Sequence, residues 1–350
     1  MINPSCTMQE VARRAGVHPA TVSRALRSAP GVSDAVRIEI KRIARELKYR
    51  PNPLVSALIR TRRSPTRTKY HATLAFFTKP LPGLVGKDRH VQLLAATRTR
   101  AAQHGCRIQL FGEVEPPIPP PRLTEILLTR GIAGLIFAPF TSPDAVPPVD
   151  WRQFSVVAIG LSQRIPVTRV SHNHYTGMRR VLAECRRRGA RRIGLVLPLR
   201  VHRNVEERWL AAYLLDQTEH PSPGGPLLPL LVNEAADHGT FAPWFRVNQP
   251  DVIVGLQHLT PIHQWVRALG LRVPADVGLA TLDRRAGKID FSGLDQEVAK
   301  MGATAVDQLL GLVERGEHGM VERPINVTMD GLWLDGTTLR RAPGEGVPLN

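Results

Sequence analysis

The sequence predicts a small N-terminal all-α unit built around a helix-turn-helix, followed by a larger α/β body of parallel sheets flanked by helices. Three observations predict this. Short amphipathic periods separated by tight turns fill residues 7–47. From residue 71, short apolar runs alternate with longer helical stretches, the pattern of strands joined by helical crossovers. At 350 residues the chain is long enough for two or three units, each with its own core.

TMQEVARRAG, residues 7–16, reads as a helix capped by Thr7, with Val11, Ala12 and Ala15 inward and Gly16 ending it. In the next segment, HPATVSRALR, Pro19 suits a first helical turn, where its missing N–H costs nothing. Val22, Ala25 and Leu26 share one face of this helix and leave Thr21, Arg24 and Arg27 outside. Small Ala12 lets the second helix cross closely over the first, which is the mechanical content of a helix-turn-helix. DAVRIEIKRIARELKY then puts Val36, Ile40, Ile43, Ala44 and Leu47 on one face, a third helix closing a small core. Asn52 and Pro53 can start a further helix, LVSALIR, which is too short to be stable unless something holds it. RTRRSPTRTK beyond it is a basic linker.

In the body, ATLAFF, RIQLF, AGLIFAP, SVVAIG, RRIGLVLP, PDVIVGL and DVGLATL are buried-strand candidates. Helical stretches lie at 89–104, 120–130, 173–188, 258–269 and 296–315. IPPPR and PSPGGP are loops.

Charge is concentrated at one end. Residues 1–70 carry twelve Arg and three Lys against four acids, +11 of the chain's +17. A basic N-terminal fifth is the footprint of a nucleic-acid partner, although 40 Arg against 7 Lys also fits a chain that simply prefers arginine. No apolar run is long enough to span a membrane, and MINPSCTMQEVARR lacks the apolar stretch of an export signal, so a cytoplasmic protein is expected. Cys6, Cys106 and Cys185 are odd in number and widely spaced, which implies neither a disulfide framework nor a zinc site. No phosphate-cradling, nucleophile-elbow or two-histidine metal motif is present. HNH at 172–174 is a contiguous string, unlike a dispersed nuclease site, and Pro261 breaks the register between His258 and His263. Catalysis, a cofactor and a metal are not expected.

TMQEVARRAGVHPATVSRALRSAPGVS…RIARELKYRPNPLVSALIR resembles the headpiece of the lactose/galactose-repressor (LacI/GalR) family of bacterial transcription regulators. LLTRGIAGLIFAP, ECRRRGARRIGLVLP, LGLRVPADVGLATLD and DGLWLDGTTLR resemble that family's two-lobed core of periplasmic-binding-protein type. The resemblance implies a headpiece at 1–50, a hinge helix and linker at 51–70 and a core at 71–341. Lobe 1 would comprise about 71–168 and 290–321, and lobe 2 about 169–289 and 322–341.

The resemblance also implies site residues. His18, Pro19, Ala20 and Arg24 begin the recognition helix, where bases are read. Arg24 can face a guanine edge or hold a phosphate. Thr21, Ser23 and Asn52 fall at phosphate-holding positions, and Thr7, Arg27 and Val55 complete the DNA-contacting set. Leu58 of the hinge helix either wedges into the minor groove and kinks the duplex or packs on its dimer mate. An effector site is implied between the lobes. There the family's usual Asn-Asp becomes Gln257-His258, its Asp-Asn becomes His172-Asn173, and Asp283 ends a strand. The arginine is assigned to Arg208, with the register open by one residue, and Phe140 and Trp209 are candidates to stack on a sugar. Each also reads as exposed helix or core packing. Imidazoles with Arg208 in place of two carboxylates would tolerate an anionic or unusual effector.

The expectation is a sequence-specific, ligand-responsive repressor. It would act as a homodimer on pseudo-palindromic double-stranded DNA, with a sugar or sugar derivative as effector. The alternatives are a constitutive DNA-binding regulator with a ligand-less cleft and an enzyme fused to a helix-turn-helix.

Overall fold

The computed structural model describes residues 8–26, 31–47, 49, 72–78, 89–112, 118–139, 149–233, 238–256 and 261–342. The expectations for Thr7, Arg27, Asn52, Val55, Leu58, Phe140 and His258 lie outside the described residues.

Helix α1 (Met8–Ala15) ends where Gly16 takes a left-handed φ of 64°. There Val17 N–H donates to the Ala12 carbonyl (3.0 Å) and Gly16 N–H to the Arg13 carbonyl (3.3 Å), closing the helix with a Schellman pattern. The sharp exit sends the chain into α2 (Pro19–Leu26), and α3 (Asp34–Glu46) closes the unit. Val11, Ala12, Val22, Ala25, Ile40, Ile43 and Ala44 form its buried core. Val36, expected inward, is 37% exposed: it shares the stripe of Ile40, Ile43 and Ala44 but stands in the first turn of α3, at the end of the buried core.

The body contains two six-stranded sheets. The first is ordered β11-β5-β4-β3-β1-β2 and is parallel throughout. Its strands are β1 (Ala72–Phe77), β2 (Cys106–Phe111), β3 (Ile132–Phe137), β4 (Ser155–Ile159), β5 (Thr168–His172) and β11 (Asn326–Met329). The second is ordered β12-β10-β9-β8-β6-β7. It comprises β6 (Ile193–Pro198), β7 (Leu230–Val232), β8 (Val252–Gly255), β9 (Gly278–Thr281), β10 (Ser292–Asp295) and β12 (Leu332–Leu334). Edge strand β12 runs antiparallel to β10, the one departure from parallel pairing among the described strands.

Strands covered by helices on both faces read as continuous apolar runs, and all five residues of β4 are buried. Helix α4 (Arg89–Gln103) and the long helix at Val298–Arg315 pack together over the first sheet. A Cβ on Gly134 of β3 would come within 2.9 Å of the buried Leu309 side chain, so strand and helix approach on a glycine. Truncating a fully buried leucine such as Leu309 costs about 2–5 kcal/mol.

The implied lobe boundaries need correction. β5 pairs with β4 and extends the first lobe to His172. β10 pairs with β9, so residues 292–295 belong to the second lobe, and β11 pairs with β5, so 326–329 belong to the first. Strand pairing decides membership here. The chain still crosses three times among the described strands, after β5, after β10 and between β11 and β12. None of the described helices is long and apolar enough to cross a membrane.

Candidate functional site

Two regions hold the expected site residues. In the headpiece, α2 has no acid in its first turn and presents its N-terminus outward. His18 caps it: its Nδ1 accepts from Ala20 N–H at 3.2 Å, and its carbonyl accepts from Thr21 N–H at 2.8 Å. One ring nitrogen is therefore committed to the cap. Pro19, Thr21 and Ser23 are half-buried, whereas Ala20 and Arg24 are exposed. Arg13, Arg37 and Arg42 each pair with a carboxylate on their own helix. Arg24 has only a long contact from Nε to the Ala20 carbonyl, 3.4 Å, and no ion pair among the described residues. A helix N-terminus beside a guanidinium has the chemistry to hold a phosphate oxygen or a guanine edge.

The second region is a cavity of about 190 Å³ where the two sheets face each other. The first lobe contributes Leu93, Pro139, Ile159, Ser162 and His172, and the second Val201, Val205, Trp209, Leu256 and Asp283. His172 ends β5, and His174 opens α6 (His174–Arg187) one residue after the crossing. Trp209 is the second residue of the helix Arg208–Glu219. Their rings meet edge-on in series, His172 to His174 at 5.2 Å and His174 to Trp209 at 5.0 Å, so one wall is an aromatic row spanning both lobes. Both nitrogens of His172, Nδ1 of His174, Nε1 of Trp209 and Oγ of Ser162 are buried without a hydrogen-bond partner. Buried polar atoms are normally paired, so these groups are placed to hydrogen-bond a molecule that occupies the cavity.

Burial pulls the His172 pKa down to about 4, reinforced by the Arg89 charge and opposed by the Met329 backbone, Asp283 and Asp330. Burial, then His172 and Arg89, holds His174 well below the ordinary histidine value. Both imidazoles are therefore neutral at pH 7 and bring hydrogen-bonding groups, not positive charge, to the cavity. Charge comes instead from Asp283, buried at the end of β9. It pairs with Arg89 of the opposite lobe at 3.0 Å and with Arg285 at 2.9 Å.

Two expected ligand contacts lie elsewhere. Asn173 caps α6, its Oδ1 accepting from Thr176 N–H at 3.3 Å. Arg208 turns away from the cavity to pair with Glu206, its Nε donating at 3.1 Å. Glu206 and Glu207 both adopt left-handed φ (54° and 60°), and this turn sets the register that places Trp209 inward and Arg208 outward. Trp209 is too buried to offer a face, so its contribution is the indole N–H. Sequence reasoning missed His174, Arg89 and Arg285. The string SHNHY carries a signal for His174, since a strand end followed by a capped helix brings both histidines to one wall.

Residues 7–52 match the family described as bacterial regulatory proteins, lacI family. Over 52 residues the chain is 50% identical to the HTH-type transcriptional regulator GntR of Pseudomonas aeruginosa, a match covering 15% of this chain and 15% of that relative's length. Solved structures share the architecture over 77–96% of the chain. A transcriptional regulator CelR–cellobiose complex has a TM-score of 0.58 at 18% identity, covering 95% of this chain and 99% of that one. The Lac repressor dimer bound to operator and the anti-inducer ONPF has 0.57 at 21%, covering 96% and 99%. A LacI family regulator from Enterococcus faecium with bound ribose has 0.55 at 16%, covering 77% and 98%. At these identities the structural likeness speaks for fold, and the sequence match covers the headpiece. Over residues 7–52, then, the chain is similar to the lacI family of bacterial regulatory proteins.

Proposed function

We propose that this chain is a sequence-specific DNA-binding repressor, acting as a homodimer on a pseudo-palindromic operator and responding to a small polar metabolite, a sugar or sugar derivative, held between its lobes. The headpiece carries the reading: residues 7–52 match the family, and within that span an acid-free helix presents Arg24, which has no carboxylate partner among the described residues. His18, Pro19, Ala20 and Arg24 meet base edges, while Thr21, Ser23 and Asn52 hold phosphates. Thr7, Arg27 and Val55 complete the contacts, and Leu58 wedges the minor groove. The orphaned polar atoms around the cavity support the ligand half of the reading, as do the cellobiose and ribose in two structures of the same fold. His172, His174, Trp209 and Ser162 would hydrogen-bond hydroxyl groups, with Asp283 ordered by its two arginines, and Phe140 and His258 would close the site.

Footprinting with the full chain tests the DNA half. Two half-sites related by a two-fold axis are expected, with affinity falling steeply as salt rises because many basic residues displace counterions. One unpaired half-site, or binding indifferent to salt, overturns it. Leu58→Ala should weaken operator binding far more than non-specific binding and abolish bending. A metabolite screen by thermal shift tests the cavity, and a wholly negative screen favours the constitutive alternative.

A further inference from the structure

We infer that a second pocket, on the rim of the cleft, binds a phosphate-class anion. It encloses about 580 Å³ and shares only Leu161 with the lining of the central cavity, so it stands independently of the ligand assigned there. Arg164 and Arg169 line it from the first lobe, and Arg203 and Arg208 from the second, against two acids, Glu206 and Glu207. Four guanidiniums facing two carboxylates leave an excess of positive charge that matches the −1.5 to −2 carried by a phosphate group at neutral pH, roughly.

Arg169 makes the pocket more than a patch of solvated surface arginines. It is only 7% exposed, and its guanidinium is fixed by donating to the carbonyls of Gly160 (2.8 Å), Gln163 (2.7 Å) and Ile165 (3.0 Å). Those partners order the fork but do not neutralise it. Neither Arg169 nor Arg164 nor Arg203 makes an ion pair among the described residues, whereas Arg208 already pairs with Glu206. A buried cation without a counter-ion is costly unless an anion joins it, and a guanidinium fork fits phosphate oxygens two at a time. The opposite wall is the turn in which Glu206 and Glu207 both hold left-handed φ, a conformation costly for non-glycine residues and concentrated at functional sites. That turn delivers Arg208 to this pocket. Because both lobes supply arginines, the bound anion would tie them together.

The test is calorimetric titration of the full chain with inorganic phosphate at constant ionic strength. Saturable binding is expected for the wild type. Arg164→Gln and Arg203→Gln, at exposed positions that leave the fold intact, should each weaken it by roughly tenfold or more. Arg130→Gln, an exposed arginine outside the pocket, should leave it unchanged. A second arm uses glucose 6-phosphate: tighter binding that is still lost in Arg203→Gln identifies a phosphorylated metabolite as the source, and equal or weaker binding identifies free phosphate. Absence of saturable binding across the millimolar range, pocket variants that bind as wild type does, or an equal loss in Arg130→Gln would each overturn the inference.

Discussion

Replacing Gly177 with alanine tests whether His172 is held by packing. Gly177 lies in the first turn of α6, where Gly→Ala ordinarily stabilises a helix by about 1 kcal/mol. Here the added Cβ would sit 2.5 Å from His172 Nε2 and 2.8 Å from Leu294 Cδ2. Neither neighbour can swing away: His172 is 1% exposed and Leu294 is fully buried. With two contacts under 3.0 Å the overpacking cost falls in the upper part of its usual range, about 2–3 kcal/mol, which reverses the helix gain and leaves a net loss of roughly 1–2 kcal/mol. His172→Ala removes the nearer obstacle, so Gly177→Ala should cost less in that background, with a coupling of about 1 kcal/mol. Equilibrium urea unfolding of the four proteins in the cycle measures both quantities. If Gly177→Ala matches or exceeds wild-type stability, or if the two changes add to within about 0.5 kcal/mol, His172 is not pinned as described.

Three further outcomes are expected. Arg24→Ala should lower operator affinity by about 1–3 kcal/mol with little change on random duplex; a uniform loss with a shallower salt slope would assign Arg24 to a phosphate. Stability should be level from neutral pH to about 8, below the range where free thiols titrate, and fall as pH drops from about 6.5 toward about 4. Over that window the unfolded chain binds a proton that folded His172, with its pKa near 4, refuses. His174 acts in the same direction, so His172→Asn should reduce the slope in urea melts at stepped pH, and an unchanged slope would contradict the assignment. Arg89→Ala removes the interlobe partner of Asp283. With side chains 21% and 8% exposed, that pair falls between surface and buried cases, worth roughly 1–3 kcal/mol to the closed arrangement. Small-angle scattering should show a larger radius of gyration, and an identical profile would mean that other contacts hold the lobes.

How much of this was legible followed from where each residue's burial comes from. The headpiece was readable because Gly16 and Pro19 punctuate its first two helices and its core is local. Strands such as β4 and β6, buried on both faces, announce themselves as apolar runs. β5 (TRVSH) and β10 (SGLD) do not. Their polar residues are buried with partners in their own lobe, Arg169 on three carbonyls and Ser292 against Thr338 and Gly336, so no periodicity marks them, and the lobe boundaries slipped with them. Trp209 rather than Arg208 faces the cavity because two consecutive glutamates adopt left-handed φ, and nothing in the letters EE announces that. Arg89 escaped notice for a related reason, since its role exists only across the cleft.

In the proposed scheme, ligand energy would reach the DNA through the cavity wall. A ligand moves an equilibrium only through different affinities for its two states. The cavity wall is assembled from both lobes, with Ser162 and His172 on one side, Trp209 and Asp283 on the other, and His174 at the crossing. Each unpaired buried polar atom costs about 1–3 kcal/mol, and closing the lobes without a ligand incurs that cost at several atoms together. The Arg89–Asp283 pair works in the opposite direction by holding the empty lobes closed. A ligand that satisfies the orphaned groups removes the cost only in the closed arrangement, so its binding energy is spent as lobe closure. Neutral imidazoles then serve better than charged ones. They can donate to or accept from a hydroxyl group, and they leave Arg89 and Arg285 engaged with Asp283 instead of repelling them.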